Sequence, residues 1–431
     1  MGFSELKALK KMKVTIDKSE VRGTVSAPSS KSYTIRGLMC AALARGESEI
    51  TRPLSSEDTD AAINVLSKVG VRIRQEDDLW RVSGGDFHKP DTDLFCGESA
   101  TTLRFMMAIC SLVPGTSRLV VGPSLTGRPA SPLVQALKQL GVDGSCNGEV
   151  APVIIHGGGL KGGLTELPGD ISSQFVSALL LVAPFAEEGV TIRLTTPLES
   201  KPYVLMTLEC LKKFGIEVTS GNLDEFEIKK QTYRPARYEV EGDWSSASYF
   251  LALGAVSDGV EVKNLNPESL QGDKMMLNFL RDMGASVTVK PGSVTVAGSK
   301  LNAIHADLSD CIDLLPTMAV LAAVAEGASR FTGIARARLK ESNRVAAVRE
   351  GLERMGVKVA EERDRLTITG TRPSGAVIDS KDDHRIAMAF SILGSLVGDT
   401  VINEAECVNK TFPEFWNILK SIGGKVEIYG Q

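Results

Sequence analysis

Small polar residues, several of them beside Lys or Arg, stand directly ahead of six strongly apolar stretches. Ser29, Ser30, Lys31, Ser32 and Arg36 open the first; Glu98, Ser99, Ala100, Thr101 and Arg104 the second; Ser172, Ser173 and Gln174 the third. Asp243, Ser245 and Ser246 precede the fourth, Asp313 the fifth, and Asp383, His384 and Arg385 the sixth. Any one of these reads first as a helix cap, because Ser and Asp oxygens accept from the free N–H groups of a first turn. Six together, three with added cations, read as more than capping. A helix N-terminus offers unpaired N–H groups and partial positive charge, which suits phosphate or carboxylate. The chemistry expected at such a place is the handling of small anions.

The loops add further cations: Arg128 in TGRPASPL, Lys201 beside Tyr203 in ESKPY, Lys410 in NKTFP. The densest run is RARLKESNR, with Arg336, Arg338, Lys340, Glu341 and Arg344. On its own that run would serve as a solvated helical face with Glu–Arg pairs. Beside an anion, a Lys–Glu pair suits acid/base work, since burial and neighbouring charge tune both groups. His384 reads as a core hydrogen-bonder before it reads as a titrating group. The whole chain has a formal net charge of −4, which speaks against nucleic acid as a partner. Positive charge must therefore be concentrated at one place to draw anions in. Four histidines without HExxH argue against a metal site, and seven cysteines without a CxxC pair read as reduced thiols in a cytosol. No apolar run approaches the length of a membrane span, and the opening MGFSELKALKKMK lacks the apolar core of a signal peptide. It matches a myristoylation pattern only loosely, with no second anchor.

A sixfold repeat positions these residues. Helix-like segments ending on Gly70, Gly141, Gly215, Gly284, Gly356 and Gly423 are each followed by an alternating, strand-like run, at intervals of about 70 residues. A second glycine series, at 46, 115, 189, 259, 327 and 398, opens a short strand upstream of each. Ahead of that strand lies the apolar stretch, such as SQFVSALLLVAPF or LLPTMAVLAAVA. Helices apolar all round belong inside a core, whereas the glycine-ended helices are amphipathic and belong outside. The unit is thus helix, strand, helix, strand, strand, and six units suggest two α/β domains of three units each. A solenoid is the alternative, but its repeats are usually shorter and less completely apolar.

The segments SKSYTIR, GDISSQF, SKPY, EGDWSSASYF, RLKESNR, DDHRIAM and KTFP, in this order, resemble the 5-enolpyruvylshikimate-3-phosphate (EPSP) synthase family over all but about the first ten residues. The resemblance implies a two-domain inside-out α/β barrel with an active site in the cleft. Residues 1–28 and 245–431 would form one discontinuous domain, on the phosphoenolpyruvate side, with 29–244 as the shikimate phosphate side. The implied reaction moves the enolpyruvyl group of phosphoenolpyruvate to the 5-hydroxyl of shikimate 3-phosphate, without metal or cofactor, in the cytoplasm. A monomer suffices for it, with small molecules as the only partners. By motif, Lys31, Asp313 and Glu341 would be catalytic. Lys31, Ser32, Arg36, Ser172, Ser173, Gln174, Ser200, Tyr203, Asp313, Arg336 and Lys340 would hold shikimate 3-phosphate. Lys31, Ala100, Arg128, Gln174, Arg344, Arg385 and Lys410 would hold phosphoenolpyruvate, with His384 orienting the site. Two positions depart from the family pattern. Glu98-Ser99-Ala100 replaces Asn-Ala-Gly, so Glu98 is expected to pair with Arg128 or another cation, and the Ala100 methyl to hinder glyphosate, the family's inhibitor. Arg336 replaces Asn, and either contacts the acceptor or points to solvent. The rival readings are the related transferase acting on UDP-N-acetylglucosamine and a non-catalytic anion-binding barrel.

Overall fold

The computed structural model describes residues 11–298 and 300–430, so most of the basic opening stretch lies outside the described residues. Helices follow in the order α1 (Lys31–Leu43), α2 (Glu57–Lys68), α3 (Ala100–Ile109), α4 (Ser131–Gln139), α5 (Ser173–Val182) and α6 (Lys201–Lys213). The second half carries α7 (Trp244–Ala255), α8 (Met276–Asp282), α9 (Leu315–Ala322), α10 (Arg344–Arg354), α11 (His384–Val397) and α12 (Phe415–Ser421). Odd-numbered helices are the apolar stretches, and every residue of α7 and α9 is buried. Even-numbered helices are amphipathic: α4, for example, buries Leu133, Val134, Ala136 and Leu137 and leaves its polar side outward. The six glycines that end them all have positive φ, from +82° at Gly215 to +106° at Gly70. Only glycine takes that conformation without strain, which is why the repeat is marked by it.

Two separate cores result. One gathers α1, α3 and α5 with Tyr33 through Val240; the other gathers α7, α9 and α11 with Val14–Ala27 and Trp244–Val426. The strand Lys13–Asp17 lies between Thr400–Asn403 and Lys425–Tyr429, antiparallel to both, and so completes the last unit from the chain's other end. Gly23–Ser26 runs parallel to Val260–Leu265 in the fourth unit. The chain passes between the cores twice, and the two passages touch: Ser29 bridges Gly242, and Asp243 N–H donates to Pro28 O at 2.8 Å.

Two features differ from the expected unit. Each sheet has one more strand, parallel to the first; Leu94–Phe95, His305–Asp307 and Val377–Asp379 are examples. The third sheet has three strands where the others have four. Its expected strand after Gly215 is reduced to a single bridge, Thr219 to Glu227.

Candidate active site

The N-termini of the inner helices face one another across a cleft between the cores, as their polar openings suggested. Side chains cap five of the six: Ser30, Ser99, Ser172, Asp243 and Asp383 accept from the N–H of Tyr33, Thr102, Gln174, Ser246 and Arg385. For these residues capping accounts for most of the signal, and Ser30 and Ser99 are wholly buried. The fifth helix is different. A 3₁₀ turn, Ile312–Leu314, leads into α9 without a side-chain cap, so the Asp313 carboxylate is free to point elsewhere.

A cavity of about 950 Å³, counting the space at its mouth, fills the cleft. Lys31, Ser32, Arg36, Ala100, Arg128, Ser172, Ser173, Gln174, Ser200, Tyr203, Asp313, Arg336, Lys340, Glu341 and Arg385 all line it. Seven Lys or Arg side chains face three carboxylates there, an excess of four positive charges within an acidic protein. Several polar atoms, three donors and one acceptor, remain unspent. Arg104 Nε and both Nε and Nη1 of Arg128 are buried without a hydrogen-bond partner among the described residues, as is Gln174 Oε1. Buried guanidinium nitrogens without partners are costly, so a wall of them is built to receive an anion.

Asp313 is the most heavily engaged acid. It accepts from Arg344 Nη1 at 2.7 Å, Tyr203 Oη at 2.9 Å and Arg385 Nη2 at 3.2 Å, with Lys340 Nζ at 3.3 Å. Burial alone would raise its pKa, but Arg385, Lys340 and Arg344 hold it well below the usual carboxylate range. Glu341 behaves likewise: burial opposes ionisation, and Arg344, Arg128 and Lys31 outweigh it. Lys340 is lowered to about 8, first by burial and then by Arg344, while Asp313 and Glu341 support its charge. Lys31 donates to Asp58 Oδ2 at 2.8 Å.

Two expected anion ligands sit behind the wall and do not line the cavity. Arg344 is 1% exposed and binds three carboxylates at once, Asp383 through Nε at 2.7 Å, Asp313 at 2.7 Å and Glu341 through Nη2 at 2.6 Å. Its guanidinium holds these three acids in place. Lys410 donates to Asp382, to the carboxylate and the carbonyl, both at 2.7 Å. Arg36 lines the cavity, but its nitrogens are engaged by Thr207 Oγ1, Ser32 O and Tyr203 O, so it braces the wall around Ser32 and Tyr203. His384 is 2% exposed, with neither ring nitrogen hydrogen-bonded among the described residues, and burial with Arg385 lowers its pKa far below the ordinary value. It is a neutral ring and does not titrate near pH 7.

Among the described residues Glu98 makes no ion pair, though its charge helps keep Lys410 protonated. Its carboxylate accepts from Ser124 N–H at 3.0 Å and from the Ser124 hydroxyl, which pins the 3₁₀ turn Pro123–Leu125 ahead of Arg128. Arg336 does not point to solvent; it reaches across the cleft to Glu199 and Ser200. Asp58, Thr101, Arg104, Ile171 and Leu339, none of them in the contact set that the motifs imply, also line the cavity. Asp58 sits in the first turn of an outer helix, where Glu57, Asp58 and Asp60 look like ordinary acids beside a helix N-terminus. Arg104 was a visible signal: a guanidinium one turn into an apolar helix has to face something polar.

Among the described residues no group of His, Cys, Asp or Glu is arranged to hold a metal, and no helix is long and apolar enough to cross a membrane. Fixed cations around ionised acids, in a cleft between two α/β domains, define an enzyme for small polyanionic substrates. The family profile described as EPSP synthase (3-phosphoshikimate 1-carboxyvinyltransferase) matches residues 16–419. A 3-phosphoshikimate 1-carboxyvinyltransferase of Dehalococcoides mccartyi is 51% identical over 418 residues, covering 96% of this chain and 99% of the relative. One from Methanococcoides burtonii is 42% identical over 424 residues, with the same coverage. Among solved structures, EPSP synthase from Acinetobacter baumannii superposes with a TM-score of 0.83 at 26% identity, covering 97% of this chain and all of that one. The enolpyruvyl transferase NikO from Streptomyces tendae, at 16% identity and a TM-score of 0.79 over 98% of this chain and 99% of its own, shares the fold. The chain belongs to the EPSP synthase family.

Proposed function

We propose that the chain transfers the enolpyruvyl group of phosphoenolpyruvate to the 5-hydroxyl of shikimate 3-phosphate and releases inorganic phosphate. The observation that carries this reading is Asp313, an ionised carboxylate at the cavity wall whose hydrogen bond to Tyr203 joins the two halves of the chain. It is the group that takes the acceptor hydroxyl proton as the oxygen attacks the central carbon of the enol. The methylene carbon gains a proton at the same time. In the second half-reaction phosphate leaves with its bridging oxygen, and the new methyl group gives a proton back. Lys31 and Glu341, both at the cavity wall, are assigned to this outward and return transfer. Both steps proceed beside concentrated negative charge, so preorganised guanidinium groups are the main catalytic resource.

In this reading Ser172, Ser173 and Gln174 hold the acceptor phosphate from the 29–244 side, with Lys340 opposite. Arg128, Arg104 and Arg385 receive phosphoenolpyruvate, and Arg344 holds the acids in place behind them. Residues 1–28 and 245–431 supply Asp313 and Glu341. A cytoplasmic location and a monomeric working form belong to the same proposal. Neither the UDP-N-acetylglucosamine transferase nor the non-catalytic barrel gains support, since the curated relatives carry the shikimate name and the acid/base groups are all present. Phosphate release on mixing shikimate 3-phosphate with phosphoenolpyruvate, and with neither alone, is the expected result. Release with UDP-N-acetylglucosamine in place of shikimate 3-phosphate would overturn the reading.

A further inference from the structure

We propose that Arg336 is a positioning residue that sets affinity for the phosphorylated acceptor by clasping the start of α6 from across the cleft; this rests on the reaction given above. Arg336 lies in the 3₁₀ segment Ala335–Leu339, in the half that carries α9 and α11. Its Nη2 donates to Ser309 O of the same half at 2.9 Å, which fixes the guanidinium plane. The other two nitrogens reach over: Nε pairs with the Glu199 carboxylate, and Nη1 donates to Ser200 Oγ at 3.0 Å. A planar fork can hold both residues in one geometry, which neither an asparagine nor a lysine can do.

The turn it grips needs holding. Ser200 has φ +52° and ψ +45°, a left-handed conformation that a β-carbon disfavours, and its own side chain does not cap α6. The cap comes from the opposite half, where Asp310 Oδ1 accepts from Lys201 N–H at 3.1 Å. Below it the halves meet at Gly272, where a β-carbon would lie 3.0 Å from Pro202 Cγ. Ser200 and Tyr203, which face the cavity from this turn, are therefore ordered by contacts from across the cleft, from Asp310, Asp313 and the guanidinium of Arg336. Ordering the turn beforehand reduces what acceptor binding must supply.

The test is steady-state kinetics of Arg336→Gln, Glu199→Gln and the double variant, with each substrate varied at saturating concentration of the other. Each single change is expected to raise KM for shikimate 3-phosphate by about fivefold to thirtyfold, the range for losing a partly exposed charged hydrogen bond. KM for phosphoenolpyruvate and kcat should shift far less. The double variant should be no worse than Arg336→Gln, because both changes delete the same interaction. Glu199 is half-exposed and its amide is isosteric, so that variant should fold. An unchanged or lower acceptor KM in Glu199→Gln, with a raised one in Arg336→Gln, would mean that Arg336 binds the acceptor directly. Losses shared equally by both substrates, or additive losses in the double variant, would also overturn the proposal. Absence of wild-type turnover would instead remove the reaction on which it rests.

Discussion

Replacing Asp313 by Asn changes one atom and isolates its chemical task. The carboxylate receives four polar groups, from Arg344 and Lys340 on one oxygen and from Tyr203 and Arg385 on the other. An amide can keep its oxygen toward Arg344 and Lys340. Its NH₂ then faces the Tyr203 hydroxyl, which can turn to accept, and Arg385, which cannot. The variant loses one charge-assisted contact and all capacity to take a proton, so stability should fall by about 1–3 kcal/mol. Loss of a general base typically slows turnover by about a hundredfold to ten-thousandfold. Phosphoenolpyruvate binding should hold or tighten, because removing a negative charge beside Arg385 raises the potential that attracts it. Since Asp313 supports the charge of Lys340, that lysine should also lose its proton at lower pH in the variant. Single-turnover mixing gives the chemical step, and fluorescence titration with phosphoenolpyruvate gives its binding. Turnover within a few-fold of wild type in a folded Asp313→Asn protein would remove Asp313 from the mechanism.

Three further outcomes follow from the site. Lys340, lowered to about 8, must be protonated to hold a phosphorylated acceptor, so kcat/KM for shikimate 3-phosphate should decline as pH rises through 8; Lys340→Arg should move that limb up, since arginine stays charged. In deuterated water the product's vinyl group should acquire deuterium, because the methyl group returns one of three hydrogens. Glu341→Gln should suppress that incorporation, and undiminished labelling would clear Glu341 of the transfer. Ala100 opens α3 at the cavity wall, and its methyl is predicted to crowd glyphosate; overpacking of this kind costs about 1–3 kcal/mol, or roughly tenfold to hundredfold in affinity. Ala100→Gly should therefore be the more glyphosate-sensitive form, and equal inhibition constants would refute that.

The repeat was legible because its marks are physical necessities: glycine where φ must be positive, and apolar residues all round a helix enclosed by other helices and a sheet. Most of the added strands were not legible, since two or three residues such as Leu94–Phe95 have no period to detect. At the site, residue type was readable but depth was not. Arg344 looked like an anion ligand, yet it is shut behind the wall because three carboxylates converge on it. Lys410 is turned to Asp382, a partner 28 positions away, and Arg336 to Glu199, 137 away. The Lys410 pairing depends on packing within one half and the Arg336 pairing on how the two halves face each other, and local spacing encodes neither. Glu98 misled for the opposite reason: its partner is the neutral Ser124, and charge counting searched only for cations.

The proposed reaction breaks the bond between carbon and the bridging oxygen of phosphoenolpyruvate, with the acceptor's own oxygen taking its place. Phosphoenolpyruvate carrying oxygen-18 at the bridging position, incubated with shikimate 3-phosphate and the protein, tests this directly by mass spectrometry. The account predicts one labelled oxygen in every phosphate released and none in the enol ether product. Label retained in pyruvate or in the enol ether would mean cleavage between phosphorus and oxygen, and would contradict it.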